Sequence, residues 1–197
     1  MPDTPAPTTP PTPTTPTDTD LAMMARALHL ARQAADLGEV PVGAVVWELA
    51  SGRILGEGFN RREIDNNPAA HAEFLAITAA CQAIGDWRLN HCALAVTLEP
   101  CPMCAGLIVN ARLARLVFAA PDPKAGAAGS LFTLTTDPRL NHRVTPIPGV
   151  LADQSADLLR SFFRSLRRPD KPPTPHFPDP PGALPPPSSP PVPPPTA

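Results

Sequence analysis

Proline is spread so unevenly along this 197-residue chain that it limits, before any other feature, how much of the chain can fold. Seven of the 31 prolines lie in residues 1–20 and fifteen in residues 169–197, leaving nine for the long segment between. Each proline locks φ and removes a backbone donor, so dense proline rules out helix interiors and paired sheet. Both proline-rich stretches also carry almost no large apolar side chains. They cannot bury enough surface to offset chain entropy and are expected to be disordered or locally polyproline-II. PxxP-like spacing there could recruit a partner, although solvated linker is the simpler reading. Residues 21–168 are the expected folded domain, long enough for a full core.

The formal charge of −2 conceals a contrast. The two tails hold five acids against one lysine, which leaves the folded segment slightly basic. That excess is too small to establish a nucleic-acid partner. Its arrangement says more, because Arg160, Arg164, Arg167 and Arg168 share a face if that segment is helical. A solvated helix face would show the same pattern. Four cysteines, two of them in a C-x-x-C, do not form a secreted disulfide framework. Cys81 and Cys92 sit in apolar surroundings and read as small buried side chains. No signal peptide and no membrane-length apolar run is visible, so a cytoplasmic protein is expected.

Within the folded segment, apolar residues at helical spacing predict a helix over 21–37, with Asp18 and Asp20 as available N-caps and Gly38 as its stop. Residues 41–47 and 53–59 predict a hairpin around Ala50-Ser51-Gly52. A helix follows over about 69–84, then a short, nearly continuous apolar strand over Cys92–Leu98, as expected of a central strand covered on both faces. Residues 102–111 read as helix and 116–119 as strand. Residues 144–150 contain Pro146 and Pro148, which confines any strand there to an edge. A last helix spans 151–166. The order implies an α/β protein with a mixed five-stranded sheet and helices on both faces.

Two short segments carry the chemistry: His71-Ala72-Glu73 and Pro100-Cys101-Pro102-Met103-Cys104. His71 offers an imidazole nitrogen, and Cys101 and Cys104 offer thiolates, three ligands that leave a tetrahedral zinc one open position. Cys101 and Cys104 stand three apart at a helix start, so both sulfurs point the same way, and the helix N-terminus favours thiolate over thiol. Pro102 fits a first helical turn, which needs no amide hydrogen. Glu73, two residues past His71, lies close to the metal without becoming a fourth ligand, where it can take a proton from water and return it elsewhere. A structural zinc would need a fourth protein ligand, and no second C-x-x-C or H-x3-5-H is present to supply one.

The spacing of H-x-E followed by P-C-x-x-C is the signature of zinc nucleobase deaminases. The chain resembles the cytidine deaminase superfamily and, more closely, its bacterial tRNA-specific adenosine deaminases. The likeness runs through nearly all of 21–168, over EVPVGAVV (39–46), GEGFNR (56–61), PAAHAE (68–73), VTLEPCPMCAG (96–106), DPKAGAAGS (122–130), LNHRV (140–144) and FFR (162–164). What the resemblance implies is a three-layer α/β/α fold, a homodimer with one zinc per subunit, and hydrolysis of adenosine 34, the wobble position of an arginine tRNA, to inosine. It makes His71, Cys101 and Cys104 the metal ligands and Glu73 the proton shuttle. Asn60 matches the asparagine that contacts the base, and Asp122 and Lys124 match the loop on the anticodon-loop backbone. Arg164 falls in the RNA-facing last helix.

Pro121 and Pro123 flank Asp122 where the family more often has other residues, which stiffens that loop. Asn60 would also serve as a plain turn residue. Trp47, Phe59 and Phe118 read as core, whereas Trp87 and Phe162 are available to stack on RNA. Two other classes remain open on the sequence alone. A free-base or nucleoside deaminase for guanine or cytosine shares both motifs but needs no RNA-binding surface. A non-catalytic relative would keep the zinc and usually lose the shuttle carboxylate, which here is present as Glu73.

Overall fold

The computed structural model describes residues 15–167; the expectations for 1–14 and 168–197, including a place for Arg168 on the basic face, lie outside the described residues. In chain order the elements are α1 (Asp18–Asp36), β1 (Gly43–Glu48), β2 (Ile54–Phe59), α2 (Ala72–Ile84), β3 (Cys92–Leu98), α3 (Pro102–Asn110), β4 (Arg115–Ala120), β5 (Pro146–Ile147) and α4 (Ala152–Leu166). A single turn of 3-10 helix, Leu134–Thr136, lies between β4 and β5.

The first helix begins three residues earlier than its apolar pattern predicts, and its cap is Thr17, not Asp18 or Asp20. The Thr17 hydroxyl accepts from the Asp20 amide at 3.2 Å, and the Asp20 carboxylate accepts from the Thr17 amide at 2.7 Å. This reciprocal capping box satisfies two otherwise orphaned donors. Asp20 also accepts from the buried Arg115 guanidinium on β4, which in turn donates to the Thr15 carbonyl at 3.1 Å.

The five strands lie in the order β2-β1-β3-β4-β5. β1 is antiparallel to both neighbours, while β3, β4 and β5 are parallel. This is the mixed five-stranded sheet the sequence predicts, covered on both faces. Alternate residues of each central strand enter separate cores, as period-two geometry requires. Ala44, Val46, Leu94, Val96, Leu116 and Phe118 pack with Ala72, Ala76, Ile77 and Ile108 of α2 and α3. Val45, Trp47, Ala93, Ala95, Val117 and Ala119 pack with Met24, Ala27 and Leu30 of α1. Trp47 and Phe118 are core as expected, and Phe59 is half-buried at the edge of the α1 layer.

Two glycines set where α2 lies. A Cβ on Gly56 would overlap the Ala76 carbonyl, and one on Gly58 would sit 2.9 Å from both the Ala76 amide and the Leu75 Cβ. Bare backbone on β2 therefore lets α2 rest directly on the sheet. α2 starts at Ala72, three residues later than expected, because residues 67–71 are tied into turns: Ala70 donates to Asn67 and His71 to Ala69. β5 shrinks to two residues at the sheet edge, since Pro146 and Pro148 cannot donate to a ladder.

Candidate functional site

His71 is the N-cap of α2 and Cys101 the N-cap of α3, both in extended conformation, and neither side chain caps its own helix. Two helix N-termini thus meet with their side chains free to converge. Cys104 follows in the first turn of α3 and is fully buried. His71 Nδ1 lies 3.7 Å from Cys101 Sγ and 3.6 Å from Cys104 Sγ, and all three candidate ligand atoms are within 4.8 Å of one another.

A tetrahedral ion with bonds of about 2.0–2.1 Å to nitrogen and about 2.3 Å to sulfur needs N···S edges of about 3.6 Å. The observed spacings therefore fit such an ion without rearrangement, and one imidazole with two sulfurs is a donor set suited to zinc. The hydrogen bond with Cys104, and then His71, pull the Cys101 thiol down to about 4. The same bond, together with burial, pushes the Cys104 thiol up. His71 is held above its usual value by its hydrogen bond with Cys101 and by the Glu73 and Cys101 charges. Burial pushes the Glu73 carboxyl up to about 7.

Glu73, 4% exposed, stands in the first turn of α2 beside this group. It lines a cleft of about 190 Å³ together with His71, Cys101, Asn60, Arg62 and Asp122. The Asn60 amide nitrogen donates to Glu39 at 2.9 Å, and the other Glu39 oxygen accepts from the Ile64 amide at 2.7 Å. A carboxylate only accepts, so this contact fixes which end of the Asn60 amide is NH₂.

The structure thus brings five of the eight residues singled out from sequence (Asn60, His71, Glu73, Cys101 and Asp122) to one cleft, with Cys104 buried directly behind His71 and Cys101. Lys124 is exposed on the loop two residues beyond Asp122, whose carboxylate accepts from the Lys124 and Ala125 amides at 2.9 and 3.3 Å. Arg164 is exposed on α4 and does not line the cleft. Trp87 and Phe162 also lie away from it: the Arg88 guanidinium sits 4.1 Å from the Trp87 ring centre, and Phe162 meets Phe163 edge-on. Cys81 and Cys92 take no part in the ligand group. Sequence reasoning missed Arg62 and Glu99 as cleft residues, and Glu39 as the buried carboxylate that holds Asn60. No local pattern marks the two acids, whose amide partners Ile64 and Ser130 lie 25 and 31 residues away.

The model of the MafB19-like deaminase family matches residues 18–167. The tRNA-specific adenosine deaminase of Bacillus subtilis is 44% identical over 152 residues, covering 77% of this chain and 93% of the relative. That of Haemophilus influenzae is 45% identical over 152 residues, covering 77% of this chain and 87% of the relative. A structure from work on A-to-I editing by tRNA:A34 deaminases superposes with a TM-score of 0.67 at 40% identity, covering 70% of this chain and 99% of the other. The guanine deaminase of Nitrosomonas europaea superposes with a TM-score of 0.61 at 28% identity, covering 72% and 83%.

Proposed function

Since the chain belongs to the MafB19-like deaminases, in the cytidine deaminase superfamily, and shares 44–45% identity with tRNA-specific adenosine deaminases, we propose that it hydrolyses the wobble adenosine, position 34, of an arginine tRNA to inosine. The observation that carries this reading is the convergence of His71, Cys101 and Cys104 within 4.8 Å, beside a buried carboxylate, at a cleft that Asn60 also lines.

In this reading His71, Cys101 and Cys104 hold one zinc ion. Zinc would supply Lewis acidity, making hydroxide available near neutral pH. Glu73 moves the protons: it takes one from the attacking water and passes it to N1 of the flipped adenine, then takes the second from the hydroxyl added at C6 and delivers it to the amine, which leaves as ammonia. Asn60, held by Glu39, orients the base. Asp122 and Lys124 meet the anticodon-loop backbone at the rim, and Arg164 extends the basic contact along α4.

A homodimer is part of the proposal. Met103, Leu131 and Phe132 are 40–53% exposed large apolar residues, the last two lining one groove with Pro102, and a second copy would cover them. Among the described residues no helix is long and apolar enough to cross a membrane, and the site of action proposed is the cytoplasm, where tRNA is modified. The deaminase domain is assigned to residues 21–168, with the proline-rich stretches 1–20 and 169–197 outside the catalytic unit apart from the helix-capping residues.

The structural likeness to a guanine deaminase favours a second reading, deamination of a free base or nucleoside such as guanine or cytosine. Incubation with an arginine-tRNA anticodon stem-loop, and separately with guanine, cytosine and adenosine, decides between them. Inosine in the stem-loop supports wobble editing. Ammonia from the small molecules alone supports the second reading.

A further inference from the structure

Glu99 closes β3 one residue before the turn that carries Cys101, and it is 2% exposed. Its carboxylate accepts from the amides of Asp122 at 3.0 Å, Ala128 at 3.0 Å and Ser130 at 2.9 Å, and from the Ser130 hydroxyl. Every one of these donors belongs to the loop 122–130. A carboxylate offers about four lone-pair sites and no donor of its own, so no other side chain of this size accepts such a set. The loop also wraps tightly: a Cβ on Gly126 would overlap the Glu99 carboxylate. The Ala127 amide donates to the Pro100 carbonyl at 2.8 Å, and the Glu99 amide to the Ala120 carbonyl at 2.9 Å. One side chain thereby ties the segment bearing Asp122 and Lys124 to the strand end that leads into the cysteine turn.

We propose that Glu99 is a positioning residue, which folds the 122–130 loop around its carboxylate so that the RNA-binding rim and the floor of the cleft keep one fixed relation. It touches neither a reacting atom nor the metal in this assignment. Burying an ion away from water is costly unless it is fully hydrogen-bonded. That cost is met here by amides from a single loop, so the carboxylate dictates that loop's conformation. Only the kinetic arm of the test below rests on the wobble-deamination reading.

The test uses the full-length, zinc-loaded protein and three variants, Glu99→Gln, Gly126→Ala and Ser130→Ala. Amide hydrogen exchange reads protection at Asp122, Ala128 and Ser130, and steady-state kinetics on the anticodon stem-loop reads KM against kcat. Losing charge-assisted hydrogen bonds predicts at least roughly tenfold less protection at these amides and a KM raised roughly tenfold in Glu99→Gln, with kcat within about twofold and zinc content unchanged. Gly126→Ala should show the same pattern although its carboxylate is intact, because the new methyl group pushes the loop away. Ser130→Ala, which removes one of the four donors, should show it more weakly. If the amides keep their protection, or KM stays at the wild-type value while only the folded fraction falls, Glu99 is not a positioning residue. Should Glu99→Gln fail to accumulate, the exchange and kinetics of Gly126→Ala decide the matter. Should the wild type leave the stem-loop unedited, the functional reading fails and exchange alone decides the role of Glu99.

Discussion

The two faces of the sheet use buried charge in opposite ways. On the α1 face, Asp20 and Arg115 are 1% and 3% exposed and paired with each other, and the cap residues Thr17 and Thr15 supply further hydrogen bonds. On the α2–α3 face, His71, Cys101, Cys104 and Glu73 crowd together and bond among themselves, at a cleft that His71, Cys101 and Glu73 line. The first arrangement is saturated within the chain and stabilises it. The second is shaped for something the chain does not itself supply. The physical difference between the structural polar cluster and the functional one is therefore access: the first is sealed inside the fold, and the second opens onto a cleft.

Removing Glu73 should break the functional face most severely. Glu73→Ala is expected to retain one zinc per chain and a normal melting temperature while losing at least roughly 10²–10⁴-fold in kcat, the usual share of a general acid–base. Metal analysis beside single-turnover inosine formation checks both halves, and substantial residual turnover would remove Glu73 from the mechanism. The reverse pattern is expected on the other face. Arg115→Ala leaves Asp20 buried without its guanidinium, a loss of roughly 3–5 kcal/mol in unfolding free energy, with zinc content and kcat per folded molecule unchanged. Chemical denaturation and activity titrated on folded protein would show whether stability and catalysis separate in this way.

The same pair predicts a pH effect. Burial raises the Asp20 carboxyl, but hydrogen bonds from Arg115 and Thr17 outweigh it and hold the group below its usual 3.8. A depressed carboxylate contributes stability that is complete above pH 3.8 and is lost as pH falls through the lowered folded-state value. Asp20→Asn should therefore flatten the acid limb of the stability curve below that pH, measured by denaturation at a series of pH values. The smallest effects belong to the rim. Lys124→Ala and Arg164→Ala should each raise KM for the stem-loop several-fold at unchanged kcat, and each should lower the salt slope of binding by about one. A salt slope unmoved by Arg164→Ala would take α4 out of the RNA interface.

How much of this can be read from the sequence depends on how local the cause is. The bounds of β3, Cys92–Leu98, coincide with a nearly continuous apolar run because both of its faces are buried. His71, Glu73, Cys101 and Cys104 are legible because helix starts impose their spacing. The cap of α1 is not, because two acids beside Thr17 look like equally good caps; the decision lies in Asp20 turning back to the Thr17 amide while also receiving Arg115, 95 residues away. The roles of Glu39, which holds Asn60, and of Glu99 at the cleft are not legible for the same reason. Their partners are backbone amides 25 and 31 residues away, at Ile64 and Ser130, which no local pattern reports.

The most direct test of the central claim is mass spectrometry of position 34 in unmodified arginine tRNA incubated with the zinc-loaded protein, alongside protein stripped by a chelator and then reloaded. Inosine should form with the loaded protein, vanish on stripping and return with zinc. Undiminished editing after complete removal of metal, or a disulfide joining Cys101 to Cys104 in the active protein, would contradict the account.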